Sequence, residues 1–185
     1  ISLGVAAGSY FIGGVMKNNK LVSAGLYTVT AGLASQIVTE AFKVGFGRER
    51  PNKDKGAYAF GTEGKSFFSG HSSGAWSIAT VFAEVYKDNK YIPYISYGLA
   101  ALTSYGRLHD KKHYLSDVFY GAIAGHLISK MVMRIHRKSD EAGGFMVSPS
   151  YDFKTGTTWI KFKYVQKNIK QKEKWKCTEL PEKSR

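Results

Sequence analysis

The sequence predicts an all-α fold, a helical bundle closed by a short C-terminal β-hairpin and a basic tail. Three observations carry that prediction. Uncharged segments of helical length recur through the first 140 residues, polar or Gly/Pro-bearing breaks separate them, and the pattern turns to alternation only after Gly143-Gly144. A chain of 185 residues with 43% hydrophobic and 14% aromatic content suits a globular chain with a sizeable core. Residues 1–140 are read as the helical domain and 141–185 as the hairpin with a Lys-rich extension.

Taken in order, helices are expected at about 2–16, 21–42, 72–87, 91–108 and 114–137, with breaks at Lys17-Asn18-Asn19-Lys20 and Lys87-Asp88-Asn89-Lys90. The uncharged run Leu21 to Thr39 approaches bilayer length, but its Ser, Thr, Gly and Gln content makes a buried helix the expectation. The chain opens at Ile1 within an apolar stretch, without Met or a basic leader, and is read as the body of a processed or truncated protein; a preceding signal peptide or anchor is left open. Residues 44–70 form a long, Gly-rich, charged loop, and loops of that length in compact domains tend to be functional. Small residues such as Gly121-Ala122-Ile123-Ala124-Gly125 predict close helix approach. In the last third, Phe145, Val147, Tyr151 and Phe153 alternate with polar residues, Lys154-Thr155-Gly156 breaks the run, and Ile160, Phe162 and Tyr164 alternate again.

The formal net charge is +13, of which residues 134–185 carry 13 basic against 6 acidic side chains. Such an excess suits phosphorylated substrates, acidic lipid or nucleic acid without choosing among them. The basic end carries no recognisable nucleic-acid motif, so an anionic membrane surface is the expected partner there and nucleic acid is not; a basic binding module without catalysis is the alternative of another class. The tail is expected to affect where the protein works rather than what it does. Cys177 is the lone cysteine, which excludes an intrachain disulfide and a Cys-rich zinc site.

Three stretches carry the chemistry: Lys43 to Pro51, Ser69-Gly70-His71, and Arg107 to Asp117. Ser69-Gly70-His71 lies where the long loop meets a helix, whose first-turn N–H groups and positive dipole end form an anion seat. Alone, Ser69 reads equally as an N-cap and His71 as a first-turn histidine. His113 and Asp117 are four apart, so they share a helix face and the carboxylate can accept a hydrogen bond from the imidazole, fixing its tautomer. Taken singly, that pair is also an ordinary solvent-facing one, and Lys43, Arg50 and Arg107 are ordinary surface charges. Jointly they match what phosphoryl transfer needs: cations for the phosphate oxygens, a positioned nucleophile and an acid for the leaving oxygen.

The arrangement resembles the type 2 phosphatidic acid phosphatase superfamily, which includes bacterial non-specific acid phosphatases and vanadium haloperoxidases. Its pattern is Lys-x6-Arg-Pro, then Pro-Ser-Gly-His, then Ser-Arg-x5-His-x3-Asp. Here Lys43 to Pro51 matches the first, 69–71 most of the second and 107–117 most of the third, with Phe68 in place of Pro and Gly106 in place of Ser. The resemblance implies an all-α fold and metal-independent hydrolysis of phosphate monoesters or diphosphates, of lipids above all, through a phosphohistidine. It assigns His113 as nucleophile, Asp117 as its orienting partner and His71 as the acid. Lys43, Arg50, Arg107, and Ser69 with the Gly70 amide, become the phosphate cradle. It further implies no cofactor, vanadate as an inhibitor, a phosphorylated lipid or small phosphoester as substrate, and the periplasmic side of a bacterial cell envelope. A vanadate-dependent haloperoxidase is the alternative on the same residues; the small chain and basic tail favour the phosphatase.

Overall fold

The computed structural model describes Gly8, residues 19–142 and the strands 145–152 and 157–164, with side chains described for Gly8 and residues 20–137. The expected helix at 2–16, the tail at 166–185 and Cys177 lie outside the described residues, Gly8 excepted. Four long helices are described: α1 (Asn19–Phe46), α2 (Gly70–Val85), α3 (Ile92–His109) and α4 (Leu115–Ala142). A single 3-10 turn, Pro51–Lys53, interrupts the α1–α2 loop. The chain divides into two compact units, residues 1–134 and 135–185. In the second, β1 (Phe145–Asp152) pairs antiparallel with β2 (Thr157–Tyr164) in a register that sets Phe145 opposite Tyr164 and Asp152 opposite Thr157.

Local chemistry explains where the helices stop and start. Gly47 ends α1 at φ +50, its N–H donating to the Lys43 carbonyl (3.0 Å), a left-handed cap that glycine adopts at least cost. Ser69 caps α2, its hydroxyl accepting from the Ser72 N–H. Before α3, Asn89 Oδ1 accepts the N–H groups of Tyr91 (2.9 Å) and Ile92 (3.1 Å), and Pro93 sits in the first turn where no N–H is needed.

Helix α2 is central, and its contacts are made by small and hydroxyl-bearing side chains. Ser73 meets Ser35 of α1, and Ser72 Oγ lies 3.0 Å from Ser104 Oγ of α3. Against α4, Ser77 Oγ is 2.7 Å from Ser129 Oγ and Thr80 Oγ1 is 3.0 Å from His126 Nδ1. Each buried hydroxyl thus has a partner, without which burial would be costly. A Cβ on Gly125 would lie 2.1 Å from the Ser73 carbonyl, and one on Gly121 2.7 Å from that of Ser69, so α4 crosses α2 at backbone distance. The small-residue stripe expected to allow close approach does so.

The outside is the reverse of this interior. Leu33, Ile37 and Val44 on α1, Ile95, Leu99 and Leu102 on α3, and Phe119, Ile123, Leu127 and Met131 on α4 are all exposed, while α1 turns Ala24, Thr28, Ala31, Ser35 and Thr39 inward. The segment 20–53 is long and apolar enough to cross a membrane, and only a third of its most apolar window is buried. The expectation of a buried helix over 21–39 holds on one face only: Ala24, Thr28, Ala31, Ser35 and Thr39 are buried, while Leu33 and Ile37 are exposed.

Candidate active site

The loop between α1 and α2 is not loose; it doubles back on itself. Thr62 N–H and hydroxyl both donate to the Gly47 carbonyl (2.9 and 2.6 Å), Glu49 N–H to that of Ala59 (3.0 Å) and Ser66 N–H to that of Arg48 (2.9 Å). Glycine is required where the two arms touch, since a Cβ on Gly64 would lie 2.3 Å from the Arg48 carbonyl. This folding brings Arg48 and Ser66, 18 residues apart in sequence, to the first turn of α4.

Asp117 stands there, wholly buried. Its Oδ2 accepts from Ser66 Oγ (2.6 Å) and from the Tyr114 N–H (2.9 Å), and its Oδ1 pairs with Arg48 Nη1. Burial alone would raise its pKa; the His113 imidazole, the Ser66 hydroxyl, the Tyr114 amide and the Arg48 guanidinium together outweigh it and hold the carboxyl below its ordinary range.

His113 is buried, with Nδ1 2.9 Å from the Ser66 carbonyl oxygen and 3.8 Å from Asp117 Oδ2. A carbonyl can only accept, so Nδ1 carries the proton and Nε2 keeps its lone pair. The expected direct bond from imidazole to Asp117 is thus corrected. At 3.8 Å it is too long, because the doubled-back loop inserts the Ser66 carbonyl as the acceptor. Asp117 grips Ser66 and Tyr114 on either side of the imidazole instead.

A cleft of about 180 Å³ opens between α1, α2 and α3, lined by Gln36, Lys43, Gly70, His71, Ala75 and Thr103 among others. The His71 side chain is exposed in the cleft, and its pKa is lowered by partial desolvation first and then by Arg107, His113 and Lys43. Lys43 Nζ, at the end of α1, pairs with Glu40 (2.6 Å) and would lie 3.4 Å from a Cβ on Gly70. Arg107 pairs with Asp110 (3.4 Å), while its buried Nε has no partner among the described residues.

The structure therefore gathers Lys43, Gly70, His71, Arg107 and His113, with Asp117 behind the imidazole. Two expected cradle members sit differently. Ser69 is wholly buried, its N–H donating to the Asp117 carbonyl (2.9 Å) and its hydroxyl capping α2, so it supports the site from beneath. Arg50 is half-buried at the head of the 3-10 turn and, like Arg107 and His113, does not line the cleft; unlike those two, it is not among the groups that lower the His71 pKa. The residues that sequence reasoning missed are Arg48, Ser66 and Gln36, whose amide donates to the Gly70 carbonyl (3.3 Å). For Arg48 a signal existed: a buried aspartate needs a cation, and Arg107 and Arg50 were both already assigned elsewhere.

A family model described as the PAP2 superfamily matches residues 23–141, which contain every residue of this cluster. The chain belongs to the PAP2 superfamily. Within that superfamily it is similar to the lipid A 1-phosphatase of Porphyromonas gingivalis, 33% identical over 97 residues, 51% of this chain and 20% of the relative. It is also similar to the lipid A 4'-phosphatase of the same organism, 23% identical over 111 residues, 56% of this chain and 47% of the relative. The chain thus spans about a fifth and about half of these two curated PAP2 relatives. The crystal structure of Aquifex aeolicus LpxE shares the fold, with a TM-score of 0.54 at 22% identity, covering 68% of this chain and 73% of that one.

Proposed function

We propose that this chain is a metal-independent phosphatase that removes phosphate from a membrane lipid through a phosphohistidine on His113. The observation that carries the reading is the imidazole of His113, whose Nδ1–H is held by the Ser66 carbonyl so that Nε2 is free to attack. Nε2 forms a bond to phosphorus as the P–O bond to the alcohol breaks, and His71 passes its proton to the departing oxygen. Water then attacks phosphorus, the now neutral His71 taking its proton, as the N–P bond breaks and returns its electron pair to Nε2, and inorganic phosphate leaves. Lys43, Arg107 and the first-turn amides at Gly70 balance the charge on the phosphoryl oxygens, and Arg50 joins them if substrate draws it in.

A lipid substrate is supported by the two curated relatives, whose names describe lipid A phosphatases, and by the apolar outer faces of α1, α3 and α4. Those faces suit acyl chains, and the cleft lies at the end of the bundle that carries the charged loop before α2. The cleft holds the phosphate and its neighbouring atoms, so the rest of the lipid lies along the outer surface. A site in the bacterial cell envelope follows from such a substrate. Vanadate, a mimic of the five-coordinate phosphorus, should inhibit.

The decisive experiment feeds labelled lipid phosphate to the protein in excess chelator, quenches, and maps the label. Turnover that survives chelation with label on His113 is expected, and His113→Ala should abolish both. Label on another residue, or activity lost to chelator and restored by a divalent ion, would overturn the reading.

A further inference from the structure

Arg48 is the cation that the phosphate chemistry leaves unused. Lys43 and Arg107 are partly open to solvent, whereas Arg48 is 5% exposed and committed inward. Its Nη1 donates to Asp117 and to Ser116 Oγ (2.8 Å), and its Nε and Nη2 both donate to the Ala57 carbonyl (3.0 and 2.6 Å). The guanidinium carbon lies 4.2 Å from the centre of the Tyr114 ring and 4.9 Å from that of Phe60, within cation–π range of both. Four of its five N–H donors are thus committed within the protein.

We propose that Arg48 is a positioning residue for His113, acting through Asp117 and Ser66. The inference rests on the nucleophile reading above. The contacts form a closed circuit. Arg48 holds Asp117; Asp117 holds the Ser66 hydroxyl and the Tyr114 amide; the Ser66 carbonyl holds His113 Nδ1–H; and the Ser66 amide returns to the Arg48 carbonyl. Asp117 thus fixes both the acceptor that aims the imidazole and the residue that follows it in the chain. Without Arg48, a wholly buried carboxylate loses its cation and either takes up a proton or rearranges toward water. Either outcome loosens Ser66 and lets the imidazole rotate out of line. Lysine is a poor substitute, since a point charge cannot bridge Asp117, Ser116 and Ala57 or stack on aromatic rings.

The test uses the full chain in detergent, with Arg48→Met, Arg48→Lys and the charge-neutral double variant Arg48→Met/Asp117→Asn, each first checked by thermal melt. On an aryl phosphate, Arg48→Met should lower kcat by about 10²-fold with KM within about threefold of wild type, because orientation rather than binding is lost. The acid limb of its kcat profile should move up by at least about one pH unit, as the carboxylate loses its counter-charge. Arg48→Lys should fall between the two, and the double variant should recover stability yet stay slow. An unchanged kcat and pH profile in Arg48→Met would overturn the proposal, and so would a raised KM with intact kcat, which would make Arg48 a phosphate ligand. Should Arg48→Met fail to fold, wild-type kcat in the double variant overturns it equally. Label mapped to His113 together with wild-type kcat in the Arg48 variants refutes this inference alone; label mapped elsewhere refutes the nucleophile reading as well.

Discussion

His71 and His113 are imidazoles given opposite surroundings. His113 is buried with one nitrogen committed to a carbonyl, and His71 stands half-open in a cleft among cations that disfavour its protonated form. A bound phosphate dianion offsets those cations, so His71 gains its proton more readily in the complex than in the empty cleft. The basic limb of kcat, which reports the complex, should therefore lie at higher pH than that of kcat/KM, which reports the free protein. His71→Ala should cost about 10²- to 10⁴-fold with an alkyl leaving group and far less with an activated aryl one. Equal losses on the two substrates, or coincident pH limbs, would leave His71 with a structural role only. At this scale the legible residues are those whose partners sit at fixed short spacing, such as Ser69-Gly70-His71 and Arg107 through Asp117. Arg48 and Ser66 escaped notice because their partner, Asp117, is 69 and 51 residues away, and only the folded loop makes them neighbours.

Among elements, the crossing of α2 and α4 governs the rest. Gly125 touches the Ser73 backbone and Gly121 the Ser69 backbone, so the helix that carries Asp117 rests directly on the turn that carries Gly70 and His71. Gly125→Ala places a Cβ where a carbonyl oxygen stands, and the helices must separate. A loss of about 1–3 kcal/mol in stability is expected, read from melts in detergent. Gly121→Ala, nearer the α2 cap, should reduce activity in addition. A melt unchanged in Gly125→Ala would mean that the helices slide past one another at no cost. The helices themselves were readable because Lys-rich and Pro/Gly breaks punctuate them, and the observed ends fall within about five residues of the expected ones. The path of residues 47–69 was not, because backbone bonds between its own arms hold it and these leave no periodic trace in the side chains.

At the largest scale, among the described residues of the helical unit, small and hydroxyl-bearing side chains fill much of the interior while many large apolar ones are exposed. The Ser, Thr and Gly of residues 21–39 read in sequence as a mark against membrane contact, yet Thr28, Ser35 and Thr39 are buried, Ser35 against Ser73 of α2, while Leu33 and Ile37 are exposed. Composition reports how much polar character a helix has; the side on which it lies depends on the neighbours. An ordinary domain hides its apolar groups when it folds, and unfolding raises its heat capacity by about 12–15 cal/mol/K per residue. Here much of that surface is already uncovered in the native state, and what the helices hide from one another is largely hydroxyl and backbone. The increment per residue for the helical unit should fall well below that range, giving a stability curve that is shallow with temperature and slow to turn over on cooling.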